Sequence, residues 1–112
     1  FKKQYPPIII NAHEYIYHHY MEPDLKLQTI ANHVGLSSGR LSVLFKKETG
    51  RTVNDVITDT RIQKAKELLS SGRYKVYEVS ELVGYKTSQY FSTIFFHQTG
   101  QYPNQYRKGL DQ

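Results

Sequence analysis

Two sets of side chains in this 112-residue sequence have types and spacing that suggest chemistry. The first is histidine with glutamate, where His13-Glu14 is followed by His18-His19. A zinc-hydrolase helix places its histidines four residues apart, so that both reach one metal from one face while a glutamate serves as base. Here the intervals are five and six, which suits surface histidines on a tyrosine-rich helix. Asp55 and Asp59 share a helix face, and solvation accounts for them more simply than acid–base work. The sequence has no Gly-rich phosphate loop and no Gly-x-Ser-x-Gly elbow. It has no cysteine, hence no disulfide and no thiolate ligand. No catalytic residue, metal site or cofactor is expected.

The second set is made for hydrogen bonding. Arg40, Lys46 and Lys47 lie close together in one segment, and Gln89, Ser92 and Thr93 in another. An arginine fork donates twice to guanine or grips a phosphate, and a glutamine amide matches the N6 and N7 edge of adenine. Lysines late in a helix suit phosphate. The whole chain leans the same way: 15 Lys and Arg stand against 10 Asp and Glu, a net charge of +5 with an isoelectric point near 9.4, which suits a polyanion. No apolar run approaches the roughly 20 residues of a membrane span, Ile8-Ile9-Ile10 being broken at once by Asn11. The start, Phe1-Lys2-Lys3-Gln4, has neither a signal-peptide pattern nor an initiator methionine. The expectation is a cytoplasmic chain, without membrane contact, that forms part of a longer protein.

The elements that carry these side chains come in two copies. Ile30-Ala31-Asn32-His33-Val34-Gly35-Leu36 matches Val79-Ser80-Glu81-Leu82-Val83-Gly84-Tyr85, and Leu41-Ser42-Val43-Leu44-Phe45 matches Phe91-Ser92-Thr93-Ile94-Phe95. Thr49-Gly50 returns as Thr99-Gly100, and Asn54 as Asn104. Each copy reads as helix, tight turn, helix. Leu27, Ile30, Ala31 and Val34 form a stripe at helical spacing, Gly35 ends it, Ser37 caps the next helix, and Leu41, Leu44 and Phe45 pack from that helix. In the second copy Val76, Val79 and Val83 form the stripe, Gly84 turns, Thr87 or Ser88 caps, and Phe91, Ile94 and Phe95 pack. Ala31 and Ser80 are small because two helices crossing steeply at a short turn must approach closely. Between the copies, Thr52-Val53-Asn54-Asp55 reads as a capping box that opens a helix to about Ser70, roughly 27 Å long. Pro6 and Pro7 open a helix that runs from about Ile8 to Tyr20, and Pro103 opens a short last one. The sum is an all-α chain of seven helices. Residues 1–7 are expected as a linker from an upstream domain, 8–51 as a first helix-turn-helix subdomain, 52–71 as the connecting helix, and 72–112 as the second subdomain.

The residues that carry a family likeness are Arg61-Ile62-Gln63-Lys64-Ala65-Lys66-Glu67-Leu68-Leu69 in the middle helix, then Gly84-Tyr85, Tyr90-Phe91-Ser92, Phe95, Gly100, Pro103 and Tyr106-Arg107. With the two copies, they make nearly the whole chain resemble the DNA-binding domain of the AraC/XylS regulators. The resemblance implies a bilobed helical domain whose two recognition helices enter adjacent major grooves, about 34 Å apart on one face of a duplex. It also implies bacterial transcription regulation, an upstream sensing or dimerising part, and RNA polymerase as a further candidate partner. Double-stranded DNA is the expected ligand.

The first recognition helix is expected over Ser38 to Thr49, presenting Ser38, Gly39, Arg40, Ser42, Val43, Lys46 and Lys47. By family position, Gly39, Ser42 and Val43 face the base edges. The second is expected over Ser88 to Gln98, with Ser88, Gln89, Ser92, Thr93 and His97 toward DNA and Phe96 also outward. Val43 and Thr93 replace the arginine common in the family, Phe96 and His97 replace lysines, and Lys26 replaces a capping Ser or Thr. The first helix holds three cations and no acid between Ser38 and Lys47, while the second carries no Lys, Arg, Asp or Glu between Ser88 and His97. On that contrast the first unit is the electrostatic anchor and the second a neutral reader. The neutral helix and Phe96 favour one alternative, a helical protein-interaction module that keeps the fold without specific DNA reading. The tyrosines 5, 15, 17 and 20 are expected to cover the core, the alternative being an interface to an upstream domain.

Overall fold

A computed structural model describes residues 4–110. The chain runs α1 (Pro7–His19), α2 (Leu27–Val34), α3 (Ser38–Thr49), α4 (Val53–Ser70), α5 (Val76–Leu82), α6 (Ser88–Thr99) and α7 (Pro103–Leu110), with no strand among the described residues. Local chemistry sets the boundaries. Ser37 and Thr87 hydroxyls accept the N–H groups of Arg40 and Tyr90, each at 3.2 Å, and so satisfy donors that the first helical turn cannot. Thr52 and Asp55 close a reciprocal box: the Thr52 hydroxyl accepts from Asp55 N–H at 3.0 Å and the Asp55 carboxylate from Thr52 N–H at 3.2 Å. That backbone bond holds the Asp55 carboxyl below its ordinary value. Lys75 has no acceptor, and α5 starts on half a box, Lys75 N–H donating to the Glu78 carboxylate at 2.9 Å.

The repeat is structural down to single bonds. Gly35 and Gly84 take φ of 78° and 101°, so the next residue turns back and its N–H reaches a carbonyl five positions earlier: Leu36 to Ala31 and Tyr85 to Ser80, both at 3.0 Å. Thr49 and Thr99 each donate to the carbonyl of a core phenylalanine, Phe45 or Phe95, at 2.8 Å, and accept the N–H of Arg51 or Gln101 at 3.1 Å. The small residues do what the spacing asks, since Ala31 and Ser80 are buried at the helix crossings. Ser80 spends its hydroxyl on the Thr87 carbonyl.

Among the described residues two compact units emerge, 4–20 with 24–58 and 21–23 with 59–110, and their boundary falls inside α4. In the first, Ile9, Ala12 and Ile16 from α1 pack with Ile30, Ala31, Leu41 and Phe45, and the start of α4 adds Val53, Val56 and Ile57. Tyr5 and Tyr15 cover this core, whereas Tyr17 is exposed. His13 lies against the Phe45 ring at 5.1 Å and the Tyr5 ring at 6.2 Å. Burial, and then the Arg51 charge, push its pKa below the ordinary histidine value. The unfolded chain therefore takes up this proton more readily. Stability from the neutral ring is full above the ordinary value of about 6.5 and is lost as pH falls through the folded value. Urea unfolding from pH 7.5 to 5 should show the midpoint falling on the acid side, with a flatter dependence in His13→Leu. An unchanged slope in that variant would remove His13 as its source.

In the second unit, Ile62, Ala65 and Leu69 of α4 are buried, as are Val79, Val83, Phe91, Phe95 and Pro103. An aromatic chain crosses it: Tyr85 to Phe91 at 5.6 Å, Phe91 to Phe95 at 5.7 Å, Phe95 to Tyr106 at 5.5 Å. Arg61 is buried, 9% exposed, with Nη2 donating to the Glu22 carbonyl at 2.8 Å and the guanidinium 5.2 Å from the centre of the Tyr85 ring. Burial pulls the Arg61 pKa down and pushes that of Tyr85 up, and the attraction between them opposes both shifts.

Candidate nucleic-acid interface

In α3 the inward residues are Leu41 and Phe45, fully buried, with Leu44 half-buried. This leaves Gly39, Arg40, Ser42, Val43, Lys46 and Lys47 exposed along one strip, as the helical spacing requires. Two side chains differ from the sequence reading. Ser38 is half-buried and its hydroxyl donates to the Gln28 side-chain oxygen Oε1, while the Gln28 Nε2 donates to Asn32 Oδ1 at 2.7 Å. Ser38 thus braces the start of α3 against α2. Lys46 folds its ammonium onto the Gly50 carbonyl at 3.1 Å, where it also complements the negative end of α3. Arg40 and Lys47 instead line a groove of about 480 Å³ with Ile8, Leu36, Gly39, Val43 and Leu44.

In α6, Phe91 and Phe95 are buried, Ser88 and Ser92 half-buried, and Gln89, Thr93 and His97 exposed. The Thr93 hydroxyl donates to the Gln89 carbonyl at 3.1 Å, which orients its lone pairs outward as acceptors. Phe96 stacks on Tyr102, centroids 4.6 Å apart and planes 26° apart, so part of its outward face is taken up inside the unit. The larger difference is the company α6 keeps. Ser88, Gln89, Ser92 and Thr93 share an open basin of about 720 Å³ with Lys75, Val76 and Tyr77 around the start of α5, with Tyr102 just before α7, and with Asn104 and Arg107 within it. The charge contrast drawn from the helices alone does not hold at the surface, because Lys75 and Arg107 stand beside the neutral helix. One signal was available. Lys26 and Lys75 occupy the same place in the two copies, immediately before the first helix of each motif.

The remaining histidines have aromatic partners. Tyr15 lies 4.0 Å from the His19 ring and 4.4 Å from the His33 ring. No group of three or more His, Asp or Glu among the described residues is placed to hold a metal ion. No described helix is long and apolar enough to cross a membrane.

Two helix-turn-helix motifs, each with a polar outward strip on its second helix, define a class. The family model described as a helix-turn-helix domain matches residues 30–109. The arabinose operon regulatory protein of Escherichia coli (strain K12) is 35% identical over 111 residues, which cover 96% of this chain and 38% of that protein. The chain thus spans well under half the length of that relative. The C-terminal domain of AraT, a response regulator from Geobacillus stearothermophilus, superposes with a TM-score of 0.93 at 38% identity, covering 96% of this chain and 88% of that one. The DNA-binding domain of AdpA, solved in complex with a target DNA, shares the fold with a TM-score of 0.86 at 22% identity, covering 93% of both chains. The chain belongs to the AraC-type helix-turn-helix family of transcription-regulator DNA-binding domains.

Proposed function

We propose that this chain reads a specific DNA sequence with both motifs, α3 and α6 each lying in a major-groove segment of one duplex. The observation that carries the reading is the repeated strip. In both units the buried phenylalanines fix which face of the second helix points outward, and apart from Val43 and Phe96 that face holds small, polar or basic side chains, with cations beside it. In the first unit Gly39, Arg40, Ser42 and Val43 approach base edges and Lys47 a phosphate; Lys46 reaches phosphate by leaving Gly50. In the second, Gln89, Ser92 and Thr93 approach bases, with Lys75 and Arg107 on the backbone and His97 at the edge. Ser38 and Ser88 open the two helices. Phosphate contacts hold position and base contacts specify.

The role extends to a cytoplasmic regulator with an upstream sensing or dimerising part and contact with RNA polymerase, and it involves no catalytic step. The adaptor alternative rests on Phe96 and the neutral helix; Phe96 stacks on Tyr102 while staying 40% exposed, and the cations beside α6 weigh toward DNA.

Binding-site selection from a randomised duplex library, followed by salt titration, tests this reading. The expected result is a motif in two parts about one helical turn apart, bound with a steep salt dependence. Arg40→Ala should relax preference in one part and Gln89→Ala in the other, each by about 1–3 kcal/mol. Weak binding without sequence preference would instead favour a module that only kept the fold.

A further inference from the structure

The outward strip of α3 contains two residues that the fold does not ask for. Gly39 sits in the first turn with ordinary negative φ, and a Cβ built there meets nothing within 4 Å. Glycine weakens a helix relative to alanine, and here neither a turn nor a neighbour requires it. One turn later stands Val43, 71% exposed, the most exposed of the large hydrophobic residues described. Valine is a poor helix former whose methyls gain little from facing water. Both residues line the 480 Å³ groove, whose other apolar walls are Ile8, Leu36 and Leu44 and whose cations are Arg40 and Lys47, with no acid among the lining residues.

We infer that the Gly39–Val43 strip is a thymine-reading slot, in which bare backbone at Gly39 allows close approach and Val43 receives the thymine C5-methyl. The inference rests on the DNA-reading function proposed above. The thymine methyl is the one apolar mark on a base edge in the major groove. An exposed valine one turn from Lys47, the residue assigned to a phosphate, is suited to it. Arg40, next to Gly39, is then placed for a neighbouring guanine or the adjoining phosphate. A partner that needed only charge would use neither the gap at Gly39 nor the apolar surface at Val43.

The test uses the 112-residue chain and the duplex it selects. Each thymine is replaced in turn by deoxyuridine, which lacks only the methyl. One or two positions should lose about fourfold in affinity, the equivalent of about 0.8 kcal/mol for one buried methyl-sized group. In Val43→Ala that penalty should shrink to less than twofold at the same positions and stay unchanged elsewhere. Gly39→Ala should raise the melting temperature by about 2 °C, yet weaken selected-duplex binding about tenfold. Selective binding that is indifferent to every deoxyuridine, or a Gly39→Ala chain that binds undiminished, overturns the slot while leaving DNA reading in place. Failure to select any motif overturns both.

Discussion

Arg61→Ala is expected to lower stability by about 3 kcal/mol, a large share of what a domain of this size has. Three losses combine. The Glu22 carbonyl gives up a charged donor at 2.8 Å, Tyr85 gives up the cation against its ring, and the buried stem leaves a void beside α4. A hydrogen bond to a charged group is worth about 1.5–3 kcal/mol and cavity formation adds to it. Arg61→Lys keeps the charge but not the planar fork that serves ring and carbonyl together, so it should recover less than half of the loss. Chemical denaturation of the three proteins decides this. A loss below about 1 kcal/mol for alanine would show that Arg61 is buried without contributing much.

The second large effect is on binding. Lys75→Gln combined with Arg107→Gln is expected to weaken binding to the selected duplex about a hundredfold at moderate salt, and to reduce the slope of log affinity against log salt by about 2. The loss should be nearly uniform across sequences, because both cations are assigned to phosphate. Arg107 also donates to the Gly72 carbonyl at 3.2 Å, so its variant can loosen α7. Lys75 is exposed and provides the cleaner half of the test, a slope change of about 1 with an unchanged melting temperature. An unchanged slope for Lys75→Gln would mean that this edge of α6 does not meet the backbone, and the second unit would revert to a neutral reader. His97, exposed at the far end of α6, should contribute much less than either.

The helix-turn-helix pairs are legible in the sequence because their signals are local. A stripe at helical spacing, a glycine at positive φ, a hydroxyl three residues before the N–H it accepts, and a proline at a first helical position all act within one turn. Copying them at a near-constant offset doubled the signal. The outward strips of α3 and α6 followed from the same periodicity once Leu41, Phe45, Phe91 and Phe95 were placed inward. Where a side chain had two ways to satisfy itself, periodicity was silent. It left Ser38 facing outward when Gln28 takes its hydroxyl, Lys46 free when Gly50 holds its ammonium, and Phe96 unpartnered when Tyr102 lies against it.

By itself, then, the sequence determined seven helices, two copies of one motif, and which face of each reading helix meets solvent. Only the tertiary structure decided what stands beside those faces. The two-motif reading survives with its asymmetry reduced, since Lys75, just before α5, and Arg107, in α7, line the same basin as Gln89 and Thr93. The reason is physical. A helix period orders residues a few positions apart, whereas the electrostatic surface is set by side chains far apart in sequence, and only packing brings those together.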